Sequence, residues 1–584
     1  MLCALPEAPL SGLIEEHPML SAKRALAGLT LACGLVAFTT PAYGYAIEVH
    51  KDFFDLAFGG QPAGATVTPP TPASLEEFRK FVYRQASQNP EFRRRWPTEA
   101  SFDTTAFKAL LQLNPGKRVV AIDYVPAGRG TDVRTVVREG SVDPDNDNRN
   151  QDRMFTVAGQ VQLDAFGRAV PHDPRTTWFG GLTGTPSQFD AHGATLRTGK
   201  KGSGVWTALR NPEQFARPAV VLGSAPDFSE TYTNLAMIAK LWGGQGSEWL
   251  ALTFGGNNLH GIEDLGNQIH CTVLGTPKFF IDAKWTYYKT RMKRFFKKGT
   301  SVTQTGYTAP ASLTPAEIND AMIKIKAGRE SEVDKKVLFA LGKEPKSYPT
   351  DTELGIQIIG NHHRLLEDFV QQLYLSSRDA IAAGRPGDAR DEVKDLIRIA
   401  RAGDQAFETE CRAALRAAGI GTKGKGETPY SRVIAELMIT KSGPEAQPIY
   451  EAIRKVSKKE LKRDGIYNEE LGHKVLDFVT DDKTSNKHVA KIWDLSGKAF
   501  ARVVTAVRLW DEMFKAETEG VTPGSAAAQA RANAIVDRLV TRQLKRLDEE
   551  EARRTAYLAE KQAEWDELQK PKQGFLSKIT GWFR

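Results

Sequence analysis

The sequence is poor in cysteine, in strand-forming patterns and in long apolar runs. Four cysteines in 584 residues exclude a scaffold built on disulfides. The pronounced apolar stretch near the N-terminus, Ala25–Phe38, is 14 residues long, short of the roughly 20 that span a bilayer as a helix. No later stretch is longer and equally apolar. Repeats of about 20–50 residues, the mark of solenoids and propellers, are missing. With few strand signals, the expected fold class is all-α. Wholly disordered character is excluded as well, because 41% of the residues are hydrophobic, ample for a large core. The charge excess is mild: 79 basic against 71 acidic residues, a net +8. It permits an anionic partner, a phospholipid surface or nucleic acid, without demanding one.

The N-terminus carries the features of a secretory signal. Lys23 and Arg24 form a basic region, Ala25–Phe38 an apolar one, and Ala42-Tyr43-Gly44 supplies the small residues a signal peptidase needs. Residues 1–44 are therefore expected to be an upstream extension and signal peptide, and the mature chain to be secreted or periplasmic. An uncleaved anchor is the other reading. Cys271 and Cys411 would remain, either paired or as buried thiols.

Beyond residue 45 the pattern is helical in most places. A short helix ended by glycines is expected at 45–60, then helices around 75–95 and 103–113. Residues 125–225 are rich in Gly, Pro, Asp and Asn and read as irregular. Residues 228–272 are apolar and helical. Within a basic insertion at 283–350, Ala283–Thr300 holds seven Lys/Arg and no acid, interleaved with Trp285, Tyr287, Tyr288, Phe295 and Phe296. The expected division is a domain at 45–375, a helical region at 376–523, and at 524–584 one long charged helix with an amphipathic tail. In that tail Phe575, Leu576, Ile579, Trp582 and Phe583 alternate with Lys578 and Arg584.

The segment with the clearest chemistry is LHGIEDLGNQIHC, residues 259–271. His260 and Asp264 stand four apart, so a helix presents both on one face. An imidazole and a carboxylate so placed can ligate one zinc ion. His270 is ten residues after His260, about 15 Å along an unbroken helix, and suits a second metal better than the same one. In NHHRLLEDF, 361–369, His363 and Glu367 are again four apart, while His362 has Leu366 in that place. One such pair alone is as readily a helix-surface contact. Two pairs and a further histidine point to a multi-metal site on a helical scaffold.

His-x3-Asp-x5-His followed by His-x3-Glu resembles the zinc-dependent phospholipase C and P1/S1 nuclease superfamily, all-α enzymes with three zinc ions at the bottom of a cleft. The resemblance touches residues 45–50, 139–174, 228–272 and 361–368, less than half of the chain. It implies that the first mature residue ligates zinc through its α-amino nitrogen and carbonyl oxygen, with a histidine a few residues on. Cleavage after Gly44 makes Tyr45 that residue, where the family usually has Trp, and His50 that histidine. Cleavage after Ala46 would break this assignment. EGSVDPDND, 139–147, resembles the family's Gly-Ser/Ala-rich turn ending in an acid, which favours Asp145 over Asp143. PHDP, 171–174, resembles a shortened His-Phe-Tyr-Asp-Pro and assigns His172, with Asp190 and His192 as the alternative. These Asp and Asn residues would also serve as plain turn formers. The implied arrangement has one zinc held by Asp145, His172, His260 and Asp264. Asp264 bridges to a second zinc held by Tyr45 and His50, and His270, His363 and Glu367 hold a third. Asp145 and Asp264 are the implied catalytic carboxylates.

For the substrate, the amphipathic tail favours a phospholipid surface, and the basic-aromatic patch favours anionic headgroups. The same patch suits single-stranded nucleic acid, whose bases stack on aromatics. A reading of another class is a non-enzymatic secreted interaction protein in which zinc braces the helices.

Overall fold

The computed structural model describes residues 47–59, 65–111, 113, 118–146, 156–157, 160–161, 225–271, 324, 374–375, 378, 391–419, 430–456 and 487–569. These are mostly helical, in keeping with the all-α expectation. Helix α1 (Ile47–Phe58) stops at Gly59, whose φ of +73° suits glycine. Helices α2 (Pro72–Ala86), α3 (Pro90–Arg95) and α4 (Thr104–Leu110) begin after Thr71, Asn89 and Asp103. The side-chain oxygens of those residues accept from first-turn N–H groups. Each such cap contributes about 1 kcal/mol, and proline opens α2 and α3, where its missing N–H matters least.

Helix α5 (Val133–Asn146) lies inside the stretch that reads as irregular. The segment expected to be a Gly-Ser turn is its C-terminal half. Pro144 lacks the N–H that would bond the carbonyl four residues back, that of Gly140. Asn257 Nδ2 donates to that carbonyl instead, at 2.9 Å. A two-residue antiparallel pair, Thr156–Val157 with Gln160–Val161, follows.

Helices α6 (Ala225–Trp242) and α7 (Ser247–Asp264) form a hairpin across four residues, of which Gly243 and Gly246 have positive φ. Both are buried on nearly every face. A 3-10 turn at Gln268–Cys271 follows. The later part comprises α8 (Asp391–Ala402), α9 (Gln405–Ala417), α10 (Tyr430–Ser442), α11 (Ala446–Val456), α12 (Lys487–Thr518) and α13 (Ala526–Gln569).

Packing of α7 on three neighbours explains the absence of side chains at some of its positions. A Cβ on Gly256 would come 2.5 Å from the Val137 carbonyl oxygen, and one on Gly140 would come 2.9 Å from that of Thr253. Backbones of α5 and α7 thus meet directly. The first half of α13 buries Ala528, Ala532, Ile535, Val536, Leu539, Val540 and Leu544, a single stripe at helical spacing. It packs on α2 and α6. Helix α12 runs through the core beside α1, α8 and α11, with every residue from Ala499 to Val507 buried.

Candidate metal centre

Three helices deliver the site. Helix α1 carries His50 and is tied down next to it. Phe53 packs on Phe500 of α12, ring centroids 4.7 Å apart. Asp55 pairs with Arg134 at 2.7 Å and Arg138 at 3.2 Å on α5. Asp52 binds Arg378 at 2.9 Å and the Tyr374 hydroxyl at 3.1 Å. Burial nevertheless holds the Asp52 carboxyl above its usual value, against the pull of Arg378 and Tyr374. Helix α7 carries His260 and Asp264 one turn apart, and α5 brings up the backbone of Ser141.

Asp264 lies between the two imidazoles. Its Oδ1 is 3.5 Å from His50 Nε2, and its Oδ2 is 3.3 Å from His260 Nε2. Ligand atoms of the three residues all lie within 4.8 Å of one another, and the side chains are 0% exposed. Each ring is held from its far edge. His50 Nδ1 and Glu263 Oε2 are hydrogen-bonded at 2.8 Å. His260 Nδ1–H donates to the Ser141 carbonyl at 2.7 Å. A carbonyl can only accept, so His260 is protonated at Nδ1, and a neutral ring then turns the Nε2 lone pair toward Asp264. An ionised Glu263 does the same for His50.

The donor set fits a divalent cation. Zinc–ligand bonds of 2.0–2.1 Å at tetrahedral angles separate neighbouring ligand atoms by about 3.3 Å, close to the two Nε2–Oδ distances. A direct charge-assisted hydrogen bond would be shorter, about 2.7–2.9 Å. With neutral imidazoles, Asp264 also places negative charge out of water, which burial opposes and a cation would cancel. Burial pushes the Glu263 carboxyl up to about 7 although the His50 hydrogen bond pulls it down. One carboxylate oxygen toward each ring suits an ion held by all three residues.

The structure therefore brings together His50, His260 and Asp264. Asp145 is in the last turn of α5 and His270 in the 3-10 turn, but their side chains lie outside the described residues, as do Tyr45, His172, His363, Glu367, Asp190 and His192. Asp143 is engaged elsewhere: Arg129 grips both its oxygens, at 2.7 and 2.6 Å. Cys271 and Cys411 are separate buried thiols. Sequence reasoning missed Glu263, Asn257 and the Ser141 carbonyl. Two signals pointed to the last two: Pro144 four residues after Gly140, and the Gly255-Gly256 pair in a helix, which invites a backbone to approach. Comparison with protein-family models, with curated proteins and with solved structures finds no match to the chain.

Proposed function

We propose that the chain is a secreted zinc-dependent phosphodiester hydrolase of the phospholipase C kind, acting on phospholipid headgroups. The observation that carries this reading is Asp264 set between two imidazoles, each oriented from behind. His50 comes from a helix more than 200 residues away in sequence, and the motif resemblance pairs it with that same aspartate. In this reading Asp264, His50, Tyr45, His260, Asp145 and His172 would together hold two metal ions. His270, His363 and Glu367 would hold a third. Zinc at these positions would supply Lewis acidity and water that ionises near neutral pH. The chain's own contribution is to hold the ligand rings in one tautomer, to exclude bulk water around Asp264 and to collect carboxylates where positive charge is needed. In the net reaction, a water oxygen bonds to phosphorus and the phosphorus–oxygen bond to the glycerol breaks. Diacylglycerol leaves as the alcohol and the headgroup as a phosphomonoester.

The test combines metal analysis by plasma mass spectrometry, N-terminal identification, and hydrolysis of phosphatidylcholine vesicles and of single-stranded DNA. About three zinc per chain, Tyr45 as first residue, and headgroup release that Asp264→Asn abolishes are the expected results. Cleavage of DNA but not lipid would make the enzyme a nuclease. Bound zinc without either activity would make the site a structural brace. A chain without metal would overturn the reading.

A further inference from the structure

We propose that Glu263 is a positioning residue for His50, and that its carboxylate sets how tightly the His50 side of the centre holds its metal. The inference rests on the metal-centre reading above and adds a residue to it. The His50 ring lies between two carboxyl groups: Glu263 Oε2 is hydrogen-bonded to Nδ1 at 2.8 Å, and Asp264 Oδ1 faces Nε2 at 3.5 Å. Two consecutive residues of one helix thus face opposite edges of one imidazole. Both side chains are 0% exposed. Among the described residues the Glu263 carboxylate has His50 as its hydrogen-bond partner, and its second oxygen, Oε1, is buried with none. As a structural tie, a buried carboxylate on an imidazole is a poor choice, since apolar packing of the same volume serves as well or better. As an orienting group it is well suited. It fixes the tautomer that leaves the Nε2 lone pair toward Asp264, and it makes the ring a stronger donor.

The two halves of the centre differ in this respect. His260 leans on a neutral backbone carbonyl, that of Ser141, whereas His50 leans on a carboxylate. Loss of the carboxylate should weaken one metal position and leave others alone.

The experiment uses the full chain with Co²⁺ as the probe, followed by its visible absorption, and Zn²⁺ in competition. Glu263→Ala should weaken one Co²⁺ step by about 10–100-fold without changing the remaining steps. Glu263→Gln keeps an oxygen that can accept from Nδ1–H, so it should recover part of that loss. Unchanged titrations in both variants would overturn the proposal, even if thermal stability shifts, because a mere tie between α1 and α7 would move stability alone. Nitrogen-15 spectra of the wild-type histidines give a check that needs no variant. His50 should carry its proton on Nδ1, and a proton on Nε2 would overturn the proposal. A wild-type chain that takes up no Co²⁺ or Zn²⁺ overturns the metal-centre reading along with it. Equal uptake by all three chains overturns the role of Glu263 alone.

Discussion

Helix α6 and helix α7 pack side by side, and each places a pair of carboxylates out of water, Asp227 with Glu230 on the one and Glu263 with Asp264 on the other. On α6 the chain supplies its own cations. Arg432 of α10 meets both acids, lying 2.7 Å from Glu230, and Arg546 of α13 meets them at 2.6 and 3.1 Å. Arg542 adds a contact to Glu230 at 3.2 Å, and Thr231 and Gln543 accept from Arg546. On α7 the facing groups are imidazoles, which offer lone pairs as readily as protons. Guanidinium is always charged and makes a closed, permanent tie, here joining α6, α10 and α13. Imidazole with carboxylate makes a cluster that can take up a metal ion as well as a proton. Two buried acidic pairs are therefore set up differently: one fastens helices, and the other stands where a metal ion could be held.

The largest effect that separates them is loss of an arginine. Arg432→Ala or Arg546→Ala strands buried carboxylates and should reduce stability by about 3–5 kcal/mol, read from urea denaturation. Zinc bound per folded chain should stay the same. A variant that loses zinc while still folded would mean that the two clusters are one system.

Next in size is the response to metal. Zinc at a hundred times its dissociation constant should stabilise the wild-type chain by about 2.7 kcal/mol, and a chelator should remove that gain. Asp264→Asn should show no gain, and Arg432→Ala should show all of it. In the presence of chelator, Asp264→Asn should unfold no earlier than wild type, because it removes a buried negative charge. Earlier unfolding would make Asp264 a structural partner of the histidines rather than a ligand. Below this comes Asn257→Ala, which leaves the Gly140 carbonyl without the Asn257 hydrogen bond and should cost about 1–3 kcal/mol. Since α5 carries the Ser141 carbonyl that orients His260, zinc affinity should fall with it.

Much of the helix pattern was legible because capping residues and apolar spacing are local. Thr71-Pro72, Asn89-Pro90 and Asp103 announce their helices, and the long charged helix expected within 524–584 folds as Ala526–Gln569. Helix α5 was not legible. Gly140, Asp143 and Pro144 are turn formers locally, and the donor that satisfies Gly140 comes from Asn257, 117 residues on. Of the site, His260 and Asp264 follow from spacing on one helix, and His50 follows from the resemblance. Glu263 could not be found this way. A residue next to a ligand lies on a different helix face, and only the arrival of α1 from elsewhere in the chain gives its carboxylate a partner.

The smallest expected effect tests whether burial, rather than ion pairing as such, gives the α6 cluster its strength. Arg412 holds Glu512 through two parallel bonds, at 2.9 and 2.7 Å, much as a buried pair would. Both side chains are substantially exposed, 35% and 51%, so water screens the attraction and the ordering of two long side chains offsets much of it. A double-mutant cycle should give about 0.2–1 kcal/mol, shrinking further at high salt. The hydrogen bond from Arg412 holds the Glu512 carboxyl below its ordinary value. The contribution is then fully present above the unfolded-state carboxylate value and is lost as pH falls through the lower folded value. The Arg432 and Arg546 effects should barely respond to salt. A surface pair as strong as the buried ones would show that guanidinium geometry alone stabilises this fold, and the contrast between α6 and α7 would lose its basis in burial.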